Sequence, residues 1–306
     1  MSKALNAACL AVQRLRNRVR AGQLKRAARR PVDTPSSDVG ACRRTVRLPC
    51  RYCDSATQQH EVLGAVPLTS HARLLHKDYF LAQCLECEVI HLQPEPPADD
   101  LQSLYIGSRQ FADPAAADDG ESARIARSYE RRLHYLDLYP RPGDTVLEVG
   151  AGPAWVCRAI KRHCPAVKTV AQDISDECAT STPWVDDYRV GELDRLVPDG
   201  SIQLLSLTHV LEHVPRPREF LQRLAAYAAP LGKVYITAPY RPAMWRAEEG
   251  FDAWLRYSYL HVPAHISYFS EKWMRACASE AGFDLVRWDA SLDGYQAFEA
   301  ILQRKA

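Results

Sequence analysis

Four cysteines in two C-x-x-C pairs, Cys50 with Cys53 and Cys84 with Cys87, stand out first, with thirty residues between the pairs. A C-x-x-C turn presents two thiolates to one tetrahedral ion, and two such turns supply the four sulfurs of a closed zinc site. Four thiolates leave no open position for a substrate. Such a Zn2+ would be structural, folding a piece of about fifty residues that buries little core alone. Ten cysteines with no secretory leader point to reduced thiols and a cytoplasmic protein rather than a disulfide framework.

A second group lies in "DTVLEVGAGPAWVCRAI", residues 144–160, where a β-branched run passes through two glycines and a proline into a helical pattern. Gly150 and Gly152 permit a tight turn with close backbone approach, and Pro153 suits a first helical position. The dinucleotide fingerprint G-x-G-x-x-G needs a small residue at position 155, which is Trp155 here, and a pyrophosphate would face Glu148. Both features disfavour a nicotinamide or flavin. A ligand with an ammonium and a sulfonium but no phosphate would instead welcome that carboxylate, and S-adenosylmethionine is such a ligand. Asp173, 25 residues beyond Glu148 at the end of the next strand-like run, can take both ribose hydroxyls.

The third group is "LTHVLEHV". His209, Glu212 and His213 follow another apolar run, and either histidine is a candidate base for drawing a proton from an oxygen or carbon acceptor. Tyr240 and His265 are candidates for the acceptor pocket, and equally for packed aromatics. The stretch 244–265, rich in aromatic residues, reads as a lid over the acceptor.

The elements that must hold these groups follow from hydrophobic periodicity. From Arg141, strand-like "DTVLEVG", "KTVAQDIS", "SIQLLSL" and "KVYITAPY" alternate with helical "AWVCRAIKRHC" and "PREFLQRLAAYA", the pattern of a doubly wound α/β sheet. The expected division is a basic helix and linker at 1–47, the four-cysteine module at 48–97, a helical lead-in at 98–140 and the sheet domain at 141–306. Residues 1–48 hold twelve Lys and Arg against Asp33 and Asp38, whereas the whole chain carries a net charge of only +2. Leu5, Cys9, Val12, Leu15 and Val19 recur at helical spacing there, so the arm reads as a basic amphipathic helix. It can attract nucleic-acid phosphates or the anionic inner face of a membrane, or serve as a solvated tail. No apolar run reaches the roughly 18 residues of a membrane span.

Over residues 120–306 the chain resembles the class I S-adenosylmethionine-dependent methyltransferases, in "VLEVGAGPA", "VAQDIS", "DGSIQLLSLTHVLEHVPRPREFL", "LGKVYITAPY" and "HISYFSEKWMRACASEAGFDLV". Residues 48–97 resemble the zinc-ribbon module found ahead of this domain in a group of bacterial methyltransferases. The resemblance implies a Rossmann-like sheet of seven strands, the last antiparallel. It also implies that Glu148, Gly150 and Gly152 cradle the methionine part, Asp173 holds the ribose and Glu192 meets the adenine. In this family the "LEH" text also recurs as a structural element capping the following helix. Ala154, Gln203 and "APLGK" depart from the family's usual text.

A methyl acceptor that is an oxygen, carbon or nitrogen of a small molecule, sugar or cell-envelope glycan intermediate fits a sheet domain without a basic stripe. Two alternatives use the arm and ribbon on RNA, one as an RNA methyltransferase and one as a non-catalytic nucleic-acid-binding protein.

Overall fold

The computed structural model describes residues 44–66, 79–97, 101, 104, 120–242, 245, 251–290 and 296–306. The basic arm at 1–43, most of the lead-in before Gly120 and part of the 244–265 stretch lie outside the described residues.

The chain first builds an antiparallel sheet from β1 (Thr45–Cys50), β2 (Ser55–Val66), β3 (Tyr79–Cys84) and β4 (Ile90–Gln93). The C-x-x-C turns close β1 into β2 and β3 into β4, which brings all four cysteines to one end of this sheet. A fifth strand comes from far along the chain. β10 (Ser267–Tyr268) pairs antiparallel with β4, His91 opposite Ser267.

The second sheet contains β5 (Thr145–Val149), β6 (Lys168–Asp173), β7 (Asp187–Val190), β8 (Ile202–Thr208), β9 (Ala228–Pro239), β11 (Phe283–Asp289) and β12 (Ala297–Arg304). Its order is β11-β12-β9-β8-β5-β6-β7. β5 to β9 run parallel, and β12 is antiparallel to both neighbours. The expected seven-stranded α/β sheet is therefore present. Its central β5 buries Val146 to Val149 on both faces, as a strand covered by helices must. Strand order reverses at β5, and the crevice beyond its carboxyl end is where open α/β sheets bind ligands.

The helices turn apolar stripes onto these faces. α1 (Gly120–Tyr135) and α2 (Trp155–His163) share a core with β5, through Leu133, Val156, Ala159 and Ile160. α3 (Pro217–Leu224) starts on a proline, whose missing N–H would have had no partner in a first turn anyway, and buries Phe220, Leu221 and Leu224. No side chain caps it. α4 (Asp252–Leu255) is a single turn within the aromatic stretch, and α5 (Glu271–Glu280) is capped by Ser270, whose Oγ accepts the Trp273 N–H at 3.0 Å.

The two sheets are not independent bodies. Cys50, Tyr52, Cys84 and Cys87 belong to the same buried cluster as Phe220, Phe269 and Trp273. The Tyr52 carbonyl accepts from Trp273 Nε1 at 2.9 Å and from Arg218 Nη2 at 2.7 Å, while Ser270 Oγ donates to the Cys87 carbonyl at 2.6 Å. The described part of the 244–265 stretch also joins this seam rather than forming a free lid. Trp254, fully buried, packs with Tyr257, Leu260 and Val262 against Leu81, Ile90 and Leu92 of the first sheet. Its ring lies edge-on to Tyr268 at 4.8 Å. Removing so large a buried side chain costs about 3–5 kcal/mol. Trp254→Ala should therefore lower the urea midpoint of the whole molecule in one transition; a separate early transition confined to the first sheet would contradict a shared core.

Candidate functional site

At the carboxyl ends of β5, β6 and β8 lies a cavity of about 620 Å³, within the usual range for small-molecule sites. Glu148, Gly150, Gly152, Asp173, Glu192, His209 and His213 all line it. The seven residues singled out for cofactor and chemistry thus come together around one space, although they span 66 positions of sequence. Tyr240 and His265 are not among its lining residues.

The turn after β5 owes its shape to its glycines. Gly150 takes φ +59°, and a Cβ there would sit 2.5 Å from Val210 Cγ2, so both conformation and space require glycine. The turn is braced from outside. Tyr188 donates its hydroxyl to the Gly152 carbonyl at 2.9 Å, and Trp184 Nε1 donates to the carbonyls of Pro153 and Ala154 at 3.1 and 3.0 Å. Trp155 stacks on Trp184 with ring centroids 5.9 Å apart and forms part of the cavity wall. Neither Trp184 nor Tyr188 carried any local signal in the sequence, because their partners are backbone carbonyls thirty or more residues away.

Glu148 is buried and turns both oxygens to the head of α2, accepting from Val156 N at 3.3 Å and Cys157 N at 2.8 Å. The first-turn N–H groups that would otherwise hold an anion are therefore occupied. Burial pushes the Glu148 carboxyl up to about 7, the two amide bonds only partly opposing it. Asp173 accepts from Gly152 N at 2.7 Å and Ser175 N at 2.9 Å, one bond per oxygen, and burial raises its carboxyl as well. Each oxygen keeps a further lone pair for a ligand. Glu192, exposed, follows β7 at the far side of the cavity.

On the opposite side stands the histidine group. His209 takes φ +58°, a conformation that costs an L-residue about 1–3 kcal/mol and persists only where surroundings enforce it. Here its N–H bonds to the Thr237 carbonyl at 2.8 Å, its Nδ1 lies 3.2 Å from Glu212 Oε1, and its ring stacks on Tyr259. Burial alone would raise the Glu212 carboxyl, but His213, His209 and His265 outweigh it and hold the group at about 2. Because no side chain caps α3, the carboxylate in "LEH" serves these imidazoles rather than the following helix.

The four cysteine sulfurs form a separate cluster, all within 4.8 Å of one another. Cys50 and Cys87 are 3.9 Å apart and Cys53 and Cys84 3.6 Å apart.

The methyltransferase-domain family matches residues 122–287, more than half of the chain. The chain belongs to that family and is a class I S-adenosylmethionine-dependent methyltransferase. No protein of curated function matches it in sequence. Among solved structures, an S-adenosylmethionine-dependent methyltransferase from Mesorhizobium loti is similar at 15% identity and TM-score 0.47, over 58% of this chain and 100% of that one. The 1,6-didemethyltoxoflavin-N1-methyltransferase of Burkholderia thailandensis, with bound 1,6-didemethyltoxoflavin and S-adenosylhomocysteine, is similar at 16% identity and TM-score 0.44, over 60% and 79%. Among the described residues no helix is long and apolar enough to cross a membrane.

The raised Glu148 carboxyl gives a stability test. The folded protein holds this proton more tightly than the unfolded chain, so the contribution is complete below the ordinary carboxyl value of 4.5 and disappears as pH rises to about 7. Glu148→Gln should remove that trend. The melting temperature of the variant relative to the parent should rise between pH 5 and pH 8, and a constant difference across this range would refute the assignment.

Proposed function

We propose that this methyltransferase carries the methyl group to an oxygen of a hydroxylated small molecule, such as a sugar or cell-envelope glycan intermediate, within the 620 Å³ cavity. The observation that carries the cofactor half of this reading is Glu148 on the head of α2. With Val156 and Cys157 N–H already bonded, the turn offers no phosphate site, and a desolvated carboxylate favours a cationic ligand. S-adenosylmethionine supplies, when bound, a methyl group already activated on a sulfonium. The residues therefore have only to bind, align and keep water out.

Gly150 and Gly152 let the backbone approach the methionine part, Glu148 offsets its positive charge, Asp173 accepts the ribose hydroxyls and Glu192 edges the adenine end. On the acceptor side His209 takes the hydroxyl proton at Nε2, with Nδ1 directed to Glu212 Oε1, the orientation a carboxylate gives to a histidine base. His213 bounds the same space. The described sheet domain supplies a compact cavity, and that supports a small acceptor over an RNA strand.

The four cysteines are assigned a structural zinc ion. A tetrahedron with sulfur about 2.3 Å from its centre has edges of about 3.8 Å, and the two measured separations of 3.6 and 3.9 Å fall on either side of it. The ion would hold the turns that Tyr52 and Cys87 dock on α3 and α5, and it would do no chemistry on the acceptor.

Calorimetry with S-adenosylmethionine and S-adenosylhomocysteine tests the cofactor site. The parent should bind both in the micromolar range, and Asp173→Ala should weaken both at least about 30-fold, the loss of two charge-assisted hydrogen bonds at roughly 1–2 kcal/mol each. A parent that binds neither sinks the reading. For the cysteines, metal analysis of the purified protein should find one zinc fewer per chain in Cys84→Ser than in the parent. Equal zinc in the two would sink that assignment.

A further inference from the structure

Beside the cavity, a second set of ligand-type side chains converges. Glu212 and His213 come from the turn after β8 and His265 from the segment before β10, and one ligand atom of each lies within 4.8 Å of the others. The two segments are fixed to each other by backbone, because Ile266 N donates to the Glu212 carbonyl at 2.9 Å. Glu212 is fully buried and His265 nearly so.

The hydrogen bonds define which ring nitrogens face inward. His213 Nδ1 lies 2.8 Å from the Ala264 carbonyl and His265 Nδ1 lies 2.6 Å from the Tyr259 carbonyl. A carbonyl only accepts, so both Nδ1 atoms carry protons, and Nε2 of each ring is the nitrogen left to give a lone pair to an ion. That is how metal-ligating histidines are held, the second nitrogen bonded to a backbone carbonyl to fix tautomer and ring orientation. Glu212 Oε1 lies 3.7 Å from His213 Nε2. Its Oε2 is buried and has no hydrogen-bond partner among the described residues. A carboxylate out of water with an oxygen unpaired is costly unless a cation stands against it.

We infer that Glu212, His213 and His265 bind one divalent transition-metal ion at the acceptor side of the cavity. Two imidazoles and one carboxylate suit Zn2+, Fe2+ or Co2+ rather than Mg2+ or Ca2+, which prefer oxygen donors, and they leave coordination positions open. His213, which lines the cavity, makes the site reachable from it. An oxygen of the acceptor held by the ion would lie beside His209. This consequence rests on the proposed methyl transfer; the binding of the ion does not.

The full-length protein, stripped with a chelator and titrated with Co2+, tests the inference by absorption. Thiolates give an intense sulfur-to-cobalt charge-transfer band, whereas a nitrogen and oxygen site gives only weak visible bands, so one titration counts the two sites separately. The parent should take up one equivalent without charge transfer. His213→Gln, at a half-buried position, and His265→Gln should each weaken that equivalent at least about 100-fold, the upper end of what loss of an outer-shell partner costs. A parent lacking this equivalent overturns the inference, as does a folded variant of either kind that keeps it at full affinity. Retained charge transfer and S-adenosylhomocysteine binding report folding; the half-buried variant and the parent decide should His265→Gln lose both. A parent that binds S-adenosylhomocysteine but not this cobalt fails the metal site alone, and the reverse fails the cofactor reading alone.

Discussion

Glu148 accepts two backbone N–H groups from the first turn of α2 while lying almost wholly out of water. The contact ties the end of the central strand to the start of the helix and so fixes the glycine turn between them. It also determines what the turn can hold. In a dinucleotide fold those amides meet a pyrophosphate, and the helix dipole adds to the attraction. Here a protein carboxylate already sits on two of them, Val156 and Cys157 N–H, so a second anion would have fewer donors to meet. In the proposed reading, a cationic ligand such as a sulfonium relieves the cost of ionising this buried carboxyl.

The outer shell of that turn and the four-cysteine sheet solve one problem at two scales. A backbone turn with positive φ at three alternate positions, Gly150, Gly152 and Ala154, has few intrinsic preferences to hold it. Trp184 and Tyr188 fix it by bonding its carbonyls. On the acceptor side the small first sheet plays the bracing part. Its β4 pairs with β10, its turns dock on α3 and α5, and its apolar face covers Trp254 and Tyr257. A sheet so small buries little by itself, so sharing a core with the larger domain supplies what a compact module of this size lacks.

Much of this was legible in the sequence, for reasons that are physical. β5, β6, β8 and β9 and the helices between them are long enough for periodicity to declare them, and Glu148, Gly150 and Asp173 sit at strand ends where ligands of an α/β sheet must lie; the four-residue β7 is not. The shared core was not legible. Its partners, Tyr52 with Ser267 (215 positions apart) or Leu81 with Trp254 (173 apart), are related only by tertiary contact. The 244–265 stretch is rich in aromatic residues for either a lid or a core, and hydrophobicity alone does not separate the two. Packing does, since Trp254 has no exposed surface.

The two buried glutamates make the contrast on which the acceptor side turns. Glu148 meets amide N–H groups on both oxygens, which offset part of the cost of its burial. Glu212 meets no backbone donor through its carboxylate; it faces three imidazoles and leaves Oε2 without a hydrogen bond among the described residues. Were its work only to shape the turn, its backbone carbonyl on Ile266 N would suffice and an apolar side chain would pack there at lower cost. The carboxylate instead stands where it can orient His209 on one side and meet His213 and His265 on the other. That placement is what the proposed metal site would use.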